Sequence, residues 1–250
     1  MINRRKILAG LAGSSGLLLS GCDRFGSSAG GTNFLDMGEK LTFLVQRALS
    51  DRNALAPEYT KADLSPIFRT NGNTMPKSPA YQALIADKFA TWNLKVDGLV
   101  EKPQSLSLAD LQAMPQQTQI TQHNCVEGWT AIGGWTGVRL ATVLQAAQLA
   151  PSAKYIVFYC ADDTDGTPYY ESIDLVDAFH PQTMLALQLN EQPLEVKHGA
   201  PTRLRVERQL GYKQAKYVMH IEAVASLDKI GEGKGGYWED EIDYEWYAGI

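Results

Sequence analysis

The feature that most limits how this chain can fold is its lack of a regular strand-helix-strand rhythm. Leu94–Leu99, Thr118–Gln122, Tyr155–Tyr159, Arg203–Val206 and Tyr217–Val224 are enriched in β-branched or aromatic residues or alternate in polarity, so they are predicted strands. Gly38–Leu49, Ser107–Met114, Arg139–Gln148 and Leu175–Phe179 are predicted helices, and Ser107 with Asp110 three residues on is a helix-start signal. The two sets interleave irregularly, and the many Gly and Pro residues punctuate them as turns would. That order excludes a doubly wound parallel sheet and predicts a mixed α+β domain with mixed sheets and much irregular chain. A length of 250 residues with 44% hydrophobic content suits one large core.

The first 33 residues read as an address and a spacer. Arg4, Arg5 and Lys6 precede an apolar, small-residue stretch from Ile7 to Leu19, which is too short to span a bilayer comfortably. The paired arginines resemble a twin-arginine export signal, which implies transport of an already folded protein. Leu19-Ser-Gly-Cys22 resembles a bacterial lipobox, which implies cleavage before Cys22 and lipidation of its thiol. Residues 1–21 are therefore expected to be a lipoprotein signal, 22–33 a flexible Gly/Ser-rich tether, and 34–250 the folded domain. The expected location is the periplasmic side of a bacterial membrane, held there by the lipid. A formal net charge of -5, with no basic block beyond residues 4–6, argues against a nucleic-acid partner.

Of the three cysteines, Cys22 belongs to the lipobox, leaving Cys125 and Cys160. An exported protein could join these two in a disulfide. Against that, Gln122-His-Asn-Cys125-Val-Glu-Gly-Trp129 follows a predicted strand and precedes Gly133-Gly134, read as a turn, so the Cys125 thiol is expected at a strand end where binding groups are often presented. Cys160 ends the strand-like run from Tyr155 and reads as a buried, inert thiol.

Cys125-Val-Glu-Gly-Trp-Thr130, followed by Trp135-Thr-Gly-Val138, resembles the metal-ligand segment of the sulfite oxidase-like molybdopterin family, nearest to its bacterial periplasmic branch. Three more segments fall in the family's order. Phe68-Arg-Thr-Asn71-Gly-Asn73 is similar to its early cofactor loop, Asp162 through Tyr170 to its central loop, and His198-Gly-Ala-Pro-Thr-Arg203 with Gly211-Tyr-Lys-Gln-Ala-Lys216 to its phosphate-end site. The resemblance implies a sulfite oxidase-type fold and a molybdenum-molybdopterin cofactor. It also implies Cys125 as metal ligand and catalytic centre, with Arg69, Asn71, Asn73, Asp162, His198, Arg203, Gln214, Ala215 and Lys216 around the cofactor.

The residue types suit that chemistry. A thiolate is a soft ligand for a metal already bound by sulfur. Arg203 offers a planar fork and Lys216 a point charge to a phosphate, with backbone amides near Gln214 and Ala215 as further donors. Gly199 and Gly211 would let backbone approach the ligand closely. His123 is either a neighbour of the Cys125 site or a packed imidazole; His180 and His220 are read as packed or surface residues.

Such a site transfers an oxygen atom to or from a small oxo substrate. The chain has no haem or iron–sulfur motif, so electrons must pass through a separate redox partner, and the resemblance implies a membrane haem protein. Acidic and aromatic residues after Cys125 disfavour sulfite and favour reduction of an S-oxide or N-oxide. The tail from Gly231 to Ile250 is expected to pack by its aromatics or to offer an acidic docking surface. With no residues left for a separate dimerisation domain, a monomer is expected. Two other readings are a cysteine hydrolase, in which His123 or His198 would serve as base to Cys125, and a cofactor-free binding lipoprotein.

Overall fold

The computed structural model describes residues 29–164 and 166–250. The chain divides into two compact units, one ending at Asp51 and one spanning Arg52–Ile250. In the first, helix α1 (Ala29–Leu49) takes in residues 29–33, which the composition had marked as tether. No proline lies there to stop helix propagating back from the periodic run that follows. Met37, Leu41, Leu44, Val45 and Leu49 recur at helical spacing and are exposed. Among the described residues, no helix is long and apolar enough to cross a membrane. Arg4, Arg5 and Cys22 lie outside the described residues.

The second unit is mixed α+β. Its strands are β1 (Asn93–Gly98), β2 (Gln104–Ser107), β3 (Gln116–Cys125), β4 (Trp129–Arg139), β5 (Tyr155–Thr164), β6 (Thr167–Asp174), β7 (Met184–Leu189), β8 (Gln192–Pro193), β9 (Arg203–Arg205) and β10 (Val218–Val224). One sheet has the order β2-β1-β10-β5-β6, with β1 and β10 parallel; the other has β3-β4-β7-β8, with β9 also on β7. The helices are α2 (Pro79–Ala86), α3 (Leu108–Ala113), α4 (Leu140–Ala147), α5 (Leu175–Ala178) and α6 (Tyr237–Ile242). At the start of α3, Ser107 Oγ accepts from Asp110 N at 3.1 Å while Asp110 Oδ2 accepts from Ser107 N at 2.9 Å, the reciprocal cap predicted from sequence.

A large apolar cluster joins Leu94, Phe158 and Ile221 of the first sheet to Val143 and Leu144 of α4. A smaller one gathers Phe68, Trp135, Ala186 and Leu189. Gly133-Gly134 is no turn: both residues lie inside β4, and the turn is Val126-Glu127-Gly128. A Cβ on Gly133 would come within 2.9 Å of the Phe68 ring, so this strand glycine marks a close approach, not a reversal.

The inward face of β3 is polar. Its alternation buries Gln119, Thr121, His123 and Cys125 on one side, where a core strand would place apolar groups. Buried polar groups need partners, and β9 with the chain following it supplies them. Gln119 Nε2 donates to Glu207 Oε1 at 2.8 Å and to Gln182 O at 3.0 Å. The second sheet is thus built to carry a polar site.

Candidate active site

Cys125 is the last residue of β3, and its carbonyl accepts from Gly128 N at 3.1 Å to close the hairpin into β4. Gly128 adopts φ +85°, which an L side chain would resist. The thiol borders a cavity of about 340 Å³. Burial pushes its pKa up, a rise that the backbone hydrogen bond from Glu127 opposes and the Glu127 carboxylate assists. An uncoordinated thiolate is therefore disfavoured, whereas a cation at the cavity would favour it. Glu127 ties two loops together at the rim: Oε2 accepts from Trp129 Nε1 at 2.9 Å and Oε1 from Gly72 N at 3.2 Å.

The opposite part of the site contains two buried cations. Arg203 is fully buried on β9, with Nη2 donating to Asn71 Oδ1 at 3.1 Å and Nη1 to His198 O at 3.4 Å. Lys216 Nζ donates to the carbonyls of Asn71 (2.7 Å) and Lys197 (3.3 Å) and also to that of Asn73. Neither cation has a carboxylate within ion-pair distance among the described residues. Burial and then the neighbouring Arg205 bring Arg203 down to about 9; burial and then Arg203 bring Lys216 down to about 7. Desolvated positive charge without an ion-pair partner favours an anionic ligand. Asp162 also lines the cavity, and burial, partly opposed by Lys216, raises it to about 7.

Behind Cys125, His123 Nδ1 lies 3.1 Å from Arg205 Nη1, and Glu207 holds that guanidinium in two bonds of 2.9 and 2.6 Å. Arg205 also lies over the Trp135 ring at 4.2 Å. Burial and then the charges of Arg203 and Arg205 lower the His123 pKa well below its usual value. A neutral imidazole that accepts at Nδ1 carries its proton on Nε2, and that atom is buried without a partner. His198 is likewise buried, brought down to about 4 by burial and then Arg203, with Nδ1 unpartnered. A raised thiol pKa beside a histidine engaged by arginine is the reverse of an activated cysteine nucleophile, which counts against a hydrolase.

Of the predicted residues, Asn71, Asn73, Cys125, Asp162, Gln214, Ala215 and Lys216 line the cavity, whereas His198 and Arg203 are buried outside its lining. Arg69 is exposed and does not line the cavity; its neighbour Phe68 points in and packs against His123, Trp129, Trp135 and His198. Gln214 lines the cavity, but its amide N–H goes to Gly211 O (3.1 Å) and its side chain to Gln209 O (3.1 Å). Ala215 also lines the cavity, and its carbonyl accepts from Leu204 N at 2.8 Å, binding the loop to β9. Gly199 and Gly211 make room for protein, since Cβ atoms there would meet the Lys216 stem at 2.9 Å and the His123 ring at 2.6 Å. Cys160 is a free thiol in the larger core cluster, and Cys125 is also free. Sequence reasoning missed Arg205 and Glu207, whose spacing on a strand end carries no special signal. It also missed Trp238, Ile242 and Tyr244 of the tail, which line the cavity.

The unpartnered buried atoms test whether a pterin fits. His123 Nε2, His198 Nδ1, Arg203 Nε and Asp162 Oδ1 all lack partners, an arrangement of donors and acceptors suited to a heteroatom-rich ligand with an anionic end. A thiol and the Lys216 amine on one cavity, with the fully buried Arg203 bonded to Asn71 of the cavity lining, define an oxidoreductase site of the molybdopterin class. The chain belongs to the oxidoreductase molybdopterin binding domain family, which it matches over residues 81–229, and its cofactor is a molybdopterin.

The chain is 37% identical over 251 aligned residues to an Azospira oryzae protein named for a protein-methionine-sulfoxide reductase subunit, YedZ1; the match covers 99% of this chain and 86% of that one. It is 36% identical to the protein-methionine-sulfoxide reductase catalytic subunit MsrP of Xanthomonas campestris over 56% of this chain and 47% of that one. The corresponding MsrP of Campylobacter jejuni is 30% identical, with 66% and 59% covered. The chain thus spans about half the length of these MsrP relatives. The crystal structure of the sulfane dehydrogenase SoxCD from Paracoccus pantotrophus shares the fold at TM-score 0.50, with 24% identity, covering 55% of this chain and 39% of that one.

Proposed function

We propose that this chain reduces an S-oxide, with an N-oxide as the second substrate class, and that Cys125 is the protein ligand to a molybdenum held by the pterin. The observation that carries the reading is the buried pair Arg203 and Lys216, neither of them in an ion pair among the described residues, both bonded to Asn71 on the cavity that the Cys125 thiol borders. Arg203 and Lys216 hold the phosphate end, and Asn71, Asn73, Asp162 and His198 face the pterin. When bound, the metal supplies the two-electron exchange that takes oxygen from the substrate. His123 fixes the floor beneath the thiol.

Reduction of an S-oxide consumes two electrons and two protons and yields a thioether and water. The electrons come from a separate redox partner, a membrane haem protein in this reading. Glu127 at the rim makes the entrance unfavourable for a sulfite dianion, and the names of the sulfoxide reductase relatives support methionine sulfoxide as the substrate type. Metal and pterin analysis of protein expressed with molybdate, followed by S-oxide reduction with an artificial electron donor, tests the reading. Absence of molybdenum and pterin would refute it.

The same reading places the domain outside the cytoplasmic membrane, exported folded through Arg4 and Arg5 and tethered by a lipid on Cys22. Acyl chains would supply the membrane affinity. Exchange of both arginines for lysine should strand active holoprotein in the cytoplasm. Cys22→Ala should move the exported protein from the membrane fraction to the soluble one, and parental distribution of these variants would overturn the placement.

A further inference from the structure

One wall of the cavity has a chemistry the cofactor does not need. Asn71, Asn73 and Asp162 present hydrogen-bonding groups, whereas the tail contributes Trp238, Ile242 and Tyr244. Ile242 is 51% exposed, and Val126, next to Cys125 and on the same cavity, is 44% exposed. Exposed aliphatic side chains framing the entrance to a redox site suit an apolar visitor arriving from solvent. Trp238, with Gly72, Asn73 and Thr164, also borders an adjoining depression lined by Lys77 and Asp163.

This wall is anchored at considerable cost. Glu239, next to Trp238, is fully buried and accepts from Lys213 Nζ at 2.6 Å; Glu171 on β6 accepts from the same amine at 2.5 Å. Asp240 accepts from Glu232 N at 2.9 Å, from Lys234 N at 3.0 Å and from the Tyr170 hydroxyl. Tyr212 OH donates to Glu245 O at 2.6 Å, and the Tyr212 ring packs on Tyr244 at 5.0 Å. Lys213 and Tyr212 belong to the loop that ends at Lys216, so the tail wall and the anion-binding loop are fastened to each other. Buried ion clusters add little net stability, but they fix orientation where a binding group must be held in place.

We infer that Trp238 and Ile242 form a subsite for the apolar arm of the substrate and set the preference among S-oxides. The inference rests on the S-oxide reading, and the test separates the two. Full-length holoenzyme and its Trp238→Ala, Trp238→Phe and Ile242→Ser variants are assayed with reduced viologen on dimethyl sulfoxide and on methyl phenyl sulfoxide. Binding of the non-reducible methyl phenyl sulfone is followed by quenching of indole fluorescence, and molybdenum and pterin contents are measured.

Trp238→Ala should lower the ratio of kcat/KM for methyl phenyl over dimethyl sulfoxide by about tenfold, the size of one aromatic contact. Trp238→Phe should retain most of the ratio, Ile242→Ser should lower it by less, and cofactor content should stay parental. An unchanged ratio in Trp238→Ala overturns the subsite, as does loss of pterin, which would make the wall part of the cofactor site. If the parent reduces no S-oxide, the activity reading fails, and the sulfone titration decides the subsite alone. A parental quenching constant in Ile242→Ser, or no binding to the parent, would then end it.

Discussion

Arg203 Nη2 donates to Asn71 Oδ1 at 3.1 Å, so the buried guanidinium on β9 reaches out to the loop that follows Phe68 instead of to a carboxylate. The contact joins two segments 132 residues apart in the chain and leaves the positive charge uncancelled. A charge so placed weakens the ligand-free protein and strengthens the ligand complex.

Arg203→Met should therefore separate stability from loading. Removing a desolvated charge while keeping an unbranched apolar stem should leave the melting temperature of the cofactor-free protein equal to or above that of the parent. Pterin content of the purified variant should fall to a small fraction of the parental value. Melting curves of both apo-proteins beside pterin analysis of both preparations check this; parental occupancy in the variant would contradict it.

The Cys125→Ser variant addresses the other end of the site. A hydroxyl replaces a soft thiolate with a hard, weakly acidic ligand, so the protein should fold and retain pterin while its metal spectrum changes. Turnover should fall on the order of 100-fold or more, the upper end of what loss of an outer-shell metal contact costs. An unchanged spectrum with unchanged activity would remove Cys125 from the coordination sphere.

How much of this could be read from the chain follows from where each signal lies. The Cys125 segment is contiguous, and four such segments in order pointed to one site, so the thiol, the early loop and the Arg203/Lys216 cations were legible. The Ser107 cap was legible because its partner is three residues away. β7 was not, since Met184-Leu-Ala-Leu-Gln-Leu189 is buried at all but one position and shows no alternation. The polar support beneath Cys125 is non-local: Arg205 and Glu207 matter only once β9 and the chain after it lie against β3. The same holds for Trp238, whose place on the cavity wall is fixed by Lys213 and Glu171, residues the sequence gives no reason to pair. Arg69 was assigned by its neighbours in the motif, and one step along the chain exchanged an exposed guanidinium for the buried Phe68.

The Lys213 cluster has a pH consequence. Burial, and then the adjacent Glu239, raises the Glu171 pKa well above its usual 4.5, so the Glu171 carboxyl keeps its proton above that pH. From pH 4.5 upward to that raised value, the folded state holds more protons than the unfolded state, and stability falls as pH rises. Glu171→Gln removes the titration yet keeps the Oε1 acceptor for Lys213 Nζ and Ser172 N. Its melting temperature should therefore decline less between pH 5 and pH 8 than the parent's, by roughly 2–4 °C for each kcal/mol recovered in a domain of this size. Parallel pH profiles for the two proteins would show that Glu171 is not the group that holds the proton.

Gly211→Ala tests the packing of the loop against the imidazole beneath the Cys125 thiol. The added Cβ would lie 2.6 Å from both Cε1 and Nε2 of His123, a ring that is fully buried and engaged by Arg205, so neither partner can yield freely. Overpacking of this kind costs about 1–3 kcal/mol, and the melting temperature should fall accordingly. The tightest clash is with the His123 ring, the Asn124 carbonyl following at 3.2 Å, so most of the cost should disappear in a His123→Ala background, where the ring is gone. Chemical denaturation of the four proteins of this cycle gives the coupling directly. Additive losses would mean that the alanine disturbs something other than His123, and the close contact between the loop and the floor of the site would lose its role in holding the imidazole.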